Sequence, residues 1–277
     1  MTVTFVKIKY MVNVQEANQC DSQLSVMTTT QAAIRLGLAI YLAQMTAANA
    51  AEIKLLTTRS IAIVLDEIGP VFERTTGHRL VTIVELAPVL KRRIDAGEEF
   101  DMAAFAASFI DQLIDEGKLV ASTRTNLVRA GIGIAVRAGA PRPDIESVES
   151  FKQALLRAKS IAYLKEGASG VYLAGMVERL GIAERLKSKT TLPTTDTVSE
   201  LVAKGEVEIG MVVIPNILAM PGAELVGPLP RELQVYFDFP AAIGVRAKQA
   251  QAAKELIEFL RGPLAVKVIR SKGMEPR

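Results

Sequence analysis

The chain has 277 residues, enough for one large or two medium domains, and is 49% hydrophobic but only 5% aromatic, with no Trp, so its core must be aliphatic. A net charge of +3 without clustered Lys and Arg argues against a nucleic-acid surface. One His (His78) and one Cys (Cys20) cannot build a Cys/His metal site, so no metal and no cofactor is expected.

Residues 1–26 show no sustained period. From Met27 the text reads "MTTTQAAIRLGLAIYLAQMTAANAAEIK". Arg35 precedes an apolar run from Leu36 to Ala43, and Ala48-Asn49-Ala50 forms an A-x-A site. Charged start, short apolar run and small-residue site follow the order of a secretory signal. The run is too short and Ala-rich to span a bilayer. The reading expects translation to start at Met27, residues 1–26 to be an untranslated leader, cleavage near Ala50, and a periplasmic mature protein. An amphipathic N-terminal helix is the alternative. The mature chain would hold no Cys and no disulfide, so its core must hold it.

From Glu52 onward strands and helices alternate, which predicts α/β architecture with mostly parallel sheets. "EIKLLTT" reads as a strand. In the next segment Ile61, Val64, Leu65, Ile68, Val71 and Phe72 recur at helical spacing. Gly69-Pro70 predicts a kink there, and Gly77 a left-handed stop. "RLVTIVEL" is the next strand, and Pro88 opens a helix. "FDMAAFAA" is a short buried strand, followed by the helix "SFIDQLIDEGK". "NLVRAGIGIAVRAGAP" is a long Gly-rich β segment.

A second series follows: a helix over 148–158, a strand over 160–164, the loop "KEGASG", and a helix over 171–180. A short helix over 182–186, a helix over 198–204 and the strand "EIGMVVIP" come next. "LQVYFDFPAAIGVR" is β again, and helices over 248–260 and 263–271 end the chain. The two long β segments, 127–137 and 233–246, predict a two-stranded hinge. The lobes expected are 52–131 with 242–277, and 132–241.

In open α/β sheets ligands sit beyond the carboxyl ends of the strands. Five strand-to-helix junctions are therefore candidate ligand positions: 57–60, 85–87, 104–108, 167–170 and 213–216. Ser60 and Ser169 read as N-caps, one in each lobe. Facing helix N-termini with Ser caps suit an anion. Arg59 beside Ser60 is either a bidentate grip on a ligand carboxylate or a local partner of Asp66 or Glu85. His78, in a helix-to-strand turn, reads as a polar turn residue and not as part of a triad.

Across 52–277 the chain resembles the molybdate-binding periplasmic proteins of ABC importers, which have the type II solute-binding fold. The resemblance rests on "IGPVFERTTGH", "LKRRIDAGEEFDMAAFA", "LIDEGKLVASTRTNLVRAGIGIAVRAGAP", "GASGVYLAGMVERLGI" and "AKELIEFLRGPLAVKVIRSKGMEP". It implies two lobes of mostly parallel sheet flanked by helices, a two-stranded hinge, a monomer, and a partner permease in the inner membrane. The family's first loop is a small Ala-Ala-Ser type, of which only Ser60 carries over. Its second loop offers a Ser where this chain has Glu85-Leu86-Ala87. Its late pocket Tyr is replaced at Ile214-Pro215.

Adding an arginine and deleting hydroxyls favours an organic carboxylate over molybdate. The expected ligand set is Thr58, Arg59, Ser60, Glu85, Leu86, Ala87, Ala104, Ala168, Ser169, Gly170 and Pro215. The leading expectation is capture of a small anion for ABC import. The alternative is an isomerase of aconitate type on the same scaffold, with Glu85 or Glu166 as base and Tyr163 or Lys165 assisting. A sensory module binding the same ligand is the third.

Overall fold

The first strand, β1 (Glu52–Thr57), lies between β2 (Arg79–Val84) and β3 (Met102–Ala104) and runs parallel to both. Parallel pairing is what the alternating sequence predicts. The computed structural model describes residues 50–277, and Ala51–Arg277 form one compact unit. The expected signal, the start at Met27 and Cys20 lie outside the described residues.

Helix α1 (Arg59–Thr76) follows β1. Its apolar residues Ile61, Val64, Leu65, Ile68 and Phe72 are buried, none more than 5% exposed. Each such side chain contributes about 1.5–3 kcal/mol by leaving water. Gly77 ends the helix at φ 77°, and its N–H reaches the Glu73 carbonyl. Left-handed backbone is where glycine carries no Cβ penalty. Helix assignment continues on both sides of Pro70, so the expected kink does not divide α1. α2 (Ala87–Asp95) and α3 (Ala107–Asp115) complete this half, and α2 carries Pro88 in its first turn.

Strand β4 (Thr125–Arg137) is the long Gly-rich segment. Its first half pairs antiparallel with β9 (Tyr236–Ile243), between Thr125 and Gly131. Its second half pairs antiparallel with β7 (Ile209–Val213) and β8 (Ala223–Pro228). β4 thus belongs to both halves. The glycines let partners close in: a Cβ on Gly133 would stand 2.7 Å from Leu225 and 2.9 Å from Ile214.

The second half contains α4 (Val148–Arg157), β5 (Ile161–Tyr163), α5 (Gly167–Arg179), α6 (Ala183–Leu186), β6 (Thr190–Thr191), α7 (Val198–Lys204) and α8 (Ile214–Leu218). β5 is parallel to β6 and β7. Ser147 and Ser150 form a reciprocal capping box at α4. The strand order is β2-β1-β3-β9-β4-β7-β5-β6. α9 (Ala250–Leu260) and α10 (Pro263–Ser271) return to the first half, where α10 packs on α1. β10 (Glu275–Pro276) then pairs with β4. This is the two-lobed α/β architecture. Among the described residues no helix is long and apolar enough to cross a membrane.

Three local expectations are corrected. α5 begins at Gly167, so Ala168, Ser169 and Gly170 lie in its first turn and not in a loop. The segment "EIGMVVIP" is a strand only to Val213, after which Ile214–Leu218 is helical, with Pro215 in its first turn. β8 went unrecognised because "AELVGP" has neither alternation nor a β-branched run.

Candidate functional site

All five junctions converge on one cavity of about 60 Å³ between the two halves. Thr58, Arg59 and Ser60 come from the start of α1, and Leu86 and Ala87 from the start of α2. Ala106 precedes α3, while Gly167, Ala168 and Ser169 open α5. Val213 and Asn216 come from the β7–α8 junction, and Asp196 from the loop before α7. Phe237 and Phe239 of β9, with Leu164, give the cavity apolar wall.

The helix starts supply its donors. The first N–H groups of a helix have no intrahelical acceptor and sit at the positive end of its dipole. At α1 the cap is Thr58, and Ser60 is the second helical residue, which corrects the expected Ser60 cap. The Thr58 side chain makes no cap hydrogen bond, and its Oγ1 is buried without a partner among the described residues. A buried hydroxyl left unpaired is unfavourable, and a ligand oxygen would satisfy it. Ser169 is likewise inside the first turn of α5, where Glu166 holds the cap position.

A polar chain crosses the cavity. Ser60 Oγ donates to Asn216 Oδ1 at 3.1 Å, and Asn216 Nδ2 donates to Asp196 Oδ2 at 2.8 Å. Ser60 and Asn216 are buried and Asp196 is half-buried. Burial pushes the Asp196 carboxyl above the usual aspartate range, against the Asn216 hydrogen bond and the Arg59 charge, which lower it.

The expected residues divide. Thr58, Arg59, Ser60, Leu86, Ala87, Ala168 and Ser169 line the cavity. Glu85, Ala104, Gly170 and Pro215 do not. Glu85 is exposed and makes no ion pair with Arg59 among the described residues. Ala104 is buried in β3, where its carbonyl accepts the Thr57 hydroxyl at 2.6 Å. Gly170 packs against the backbone behind it, since a Cβ there would meet the Leu164 carbonyl at 2.4 Å. Pro215 is buried beside Asn216.

Arg59 stands at the mouth, its side chain 47% exposed and 4.0 Å from Asp66, one of the two local partners the sequence offered. Glu166 faces Arg92 of α2 at 3.7 Å and is outside the cavity. Tyr163 and Lys165 are also absent from its lining. His78 is buried in structural contacts: Nδ1 accepts from the Ala51 N–H and Nε2 meets Glu255.

Sequence reasoning missed Asp196, Asn216, Phe237 and Phe239. Asn216 lay within an inspected junction but carried no charge to mark it. Asp196 sits in "TTLPTTDT", whose first two residues form the short strand β6; read from sequence as a loop throughout, the β6–α7 junction was not among those inspected. No group of three or more His, Cys, Asp or Glu that could hold a metal occurs among the described residues.

Residues 53–275 match the family model for bacterial extracellular solute-binding protein. The chain is 29% identical over 227 residues to an aconitate isomerase of Pseudomonas sp, covering 80% of this chain and 86% of that one. It is 25% identical over 234 residues to the molybdate-binding protein ModA of Azotobacter vinelandii, covering 82% and 91%. Among solved structures it is similar to the periplasmic molybdate-binding protein of Azotobacter vinelandii, with a TM-score of 0.69 at 17% identity, covering 80% of this chain and 98% of that one. The sulfate-binding protein SubI of Mycobacterium tuberculosis gives 0.68 at 16% identity, covering 82% and 87%. With its two lobes meeting at a small polar cavity, and with the family model spanning nearly all its described residues, the chain belongs to the bacterial extracellular solute-binding proteins.

Proposed function

We propose that the protein works in the periplasm, captures a small organic anion in the interlobe cavity and delivers it to an ABC permease. The observation that carries this reading is the convergence of two helix N-termini, Arg59 and the unpaired Thr58 hydroxyl on one cavity. Such donors favour negative charge, and a guanidinium at the mouth suits a planar carboxylate. The apolar wall of Phe237, Phe239 and Leu164 suits the carbon skeleton of an organic ligand better than a bare tetrahedral oxyanion. The lobes, 52–131 with 242–277 and 132–241, would close by hinge motion.

A thermal-shift and calorimetric screen tests this, setting molybdate, tungstate and sulfate against succinate, citrate and the aconitates. Carboxylates should raise the midpoint according to their affinity. Arg59→Ala should weaken carboxylate binding about tenfold or more while leaving the ligand-free fold intact. Strong stabilisation by molybdate alone would sink the carboxylate reading.

A second reading, an isomerase moving a proton on a di- or tricarboxylate, is favoured by Asp196. It is the carboxyl at the cavity, and the relative from Pseudomonas sp is named an aconitate isomerase. Glu85 and Glu166 lie outside the lining, so Asp196 would be the base. Interconversion of cis- and trans-aconitate by purified protein, absent in Asp196→Asn, is the expected result under this reading. Absence of turnover leaves the transport reading.

A further inference from the structure

A carboxyl stands in the same cavity as the anion-binding donors. Asp196 hydrogen-bonds one side chain among the described residues, Asn216, through Oδ2. Oδ1 has no protein donor there, and no Lys or Arg lies within ion-pair distance of the group. The Asn216 amide is itself fixed, because its carbonyl oxygen is occupied by the Ser60 hydroxyl. The amide therefore offers Asp196 its N–H₂ and cannot turn to accept from it.

The charges on the surrounding elements are mostly committed elsewhere. Arg59 of α1 acts on Asp196 from beyond contact range and is itself 4.0 Å from Asp66. Glu200 of α7 pairs with Lys204 at 2.6 Å. Glu166, before α5, faces Arg92, and Lys165 is exposed. α8 contributes only the neutral Asn216, and β9 only Phe237 and Phe239. A ligand carboxylate drawn in by the helix starts would thus meet a second carboxyl, with Arg59 the one cationic side chain among the lining residues to serve both. Two carboxyls brought together do not both stay ionised, and one proton comes to serve both.

We propose that Asp196 and a carboxylate of the bound ligand share one proton, so that the cleft captures a small di- or tricarboxylate together with H⁺. This rests on the organic-anion reading above. The proton comes from solvent on closure and returns to it on release, and no covalent bond changes. Burial already biases Asp196 toward its protonated form.

Calorimetry with succinate, citrate and trans-aconitate between pH 7 and 9 tests it, in pairs of buffers that differ in ionisation enthalpy. Wild type should take up close to one proton per ligand bound. Its affinity should fall about tenfold for each pH unit over the rising part of that range. Asp196→Asn keeps a donor without a titrating proton. It should take up none, show a flat profile, and bind more tightly than wild type at pH 9. Binding by wild type with no proton uptake and no pH slope overturns the shared proton while leaving carboxylate capture in place. An unchanged slope in Asp196→Asn does the same. If none of the three probes binds and molybdate or sulfate does, the underlying reading fails and the proposal with it. The wild-type uptake decides the matter even if the variant folds poorly.

Discussion

Ser60 Oγ and Asn216 Oδ1 lie 3.1 Å apart across 156 residues of sequence, joining the first turn of α1 to the first turn of α8. The contact ties the two helix starts together at the cavity. Ser60→Ala should leave the lone protein folded, at a loss of about 1 kcal/mol for the missing hydrogen bond. It should also favour the open arrangement. Small-angle scattering of the ligand-free variant, compared with wild type, reads the change as a larger radius of gyration.

Thr58 Oγ1 is buried and has no partner among the described residues. Thr58→Val keeps the shape and removes the hydroxyl. Ligand-free stability should stay level or rise, because no protein partner is lost. Affinity for the ligand should drop about tenfold. A thermal melt and a titration of the same preparation measure both. Equal loss in the two would show the hydroxyl to be structural.

Asp196 makes the stability depend on pH. Its folded-state pKa is raised by burial, so in acid the folded protein binds more protons than the unfolded chain. The contribution of Asp196 is therefore most favourable below the ordinary aspartate pKa. It falls as pH climbs from there through the folded value, and is level above it. Asp196→Asn removes this penalty. The variant should match wild type in acid and exceed it at neutral pH, with urea midpoints at several pH values as the measurement.

Glu98 has the opposite sign. Hydrogen bonds from Arg93 and then Lys54 hold its carboxyl below the usual glutamate range. That stabilisation is present above the unfolded glutamate pKa and lost as pH falls through the folded one. The side chain is only 18% exposed, yet its partners are about one-third exposed, so solvent screening keeps the effect modest. Glu98→Gln should cost about 1 kcal/mol at neutral pH and close to nothing in strong acid, again read from urea midpoints.

Gly170→Ala tests the packing of α5. The added methyl would meet the Leu164 carbonyl at 2.4 Å, a backbone atom that cannot swing aside. A loss of about 1–3 kcal/mol is expected, read as a lower thermal midpoint. Leu164 also lines the cavity, so affinity should fall together with stability.

The alternation of strands and helices was legible because each α1-like segment carries its apolar residues at helical spacing, as Ile61, Val64, Leu65, Ile68 and Phe72 do. The junctions were legible for the same reason: a strand that ends in a polar break before a helix can only deliver that break to the sheet's carboxyl edge. Which side chain of a junction reaches the cavity was not legible. Ala104 and Gly170 lie one or two residues from lining positions, and a single residue step reverses direction on a strand or turns by about 100° on a helix. Asp196 lies in the β6–α7 junction, which went unread because a strand of two residues, Thr190–Thr191, leaves no pattern in the sequence. Arg59 was left between a ligand grip and a local partner, and the helix turn brings it to the mouth within 4.0 Å of Asp66.

Strand β4 gives the first half of its length to one lobe and the second half to the other, while the tail returns through β10 to pair with it. The lobes are consequently not modules. Severed near residue 131, the N-terminal fragment would keep the first half of β4 without β9 and β10, leaving a raw sheet edge. Grafting one lobe from a relative would place a seam inside a hydrogen-bonded ladder. A new specificity on this scaffold must therefore arise by changing loops at the cavity, with both lobes inherited as a single piece.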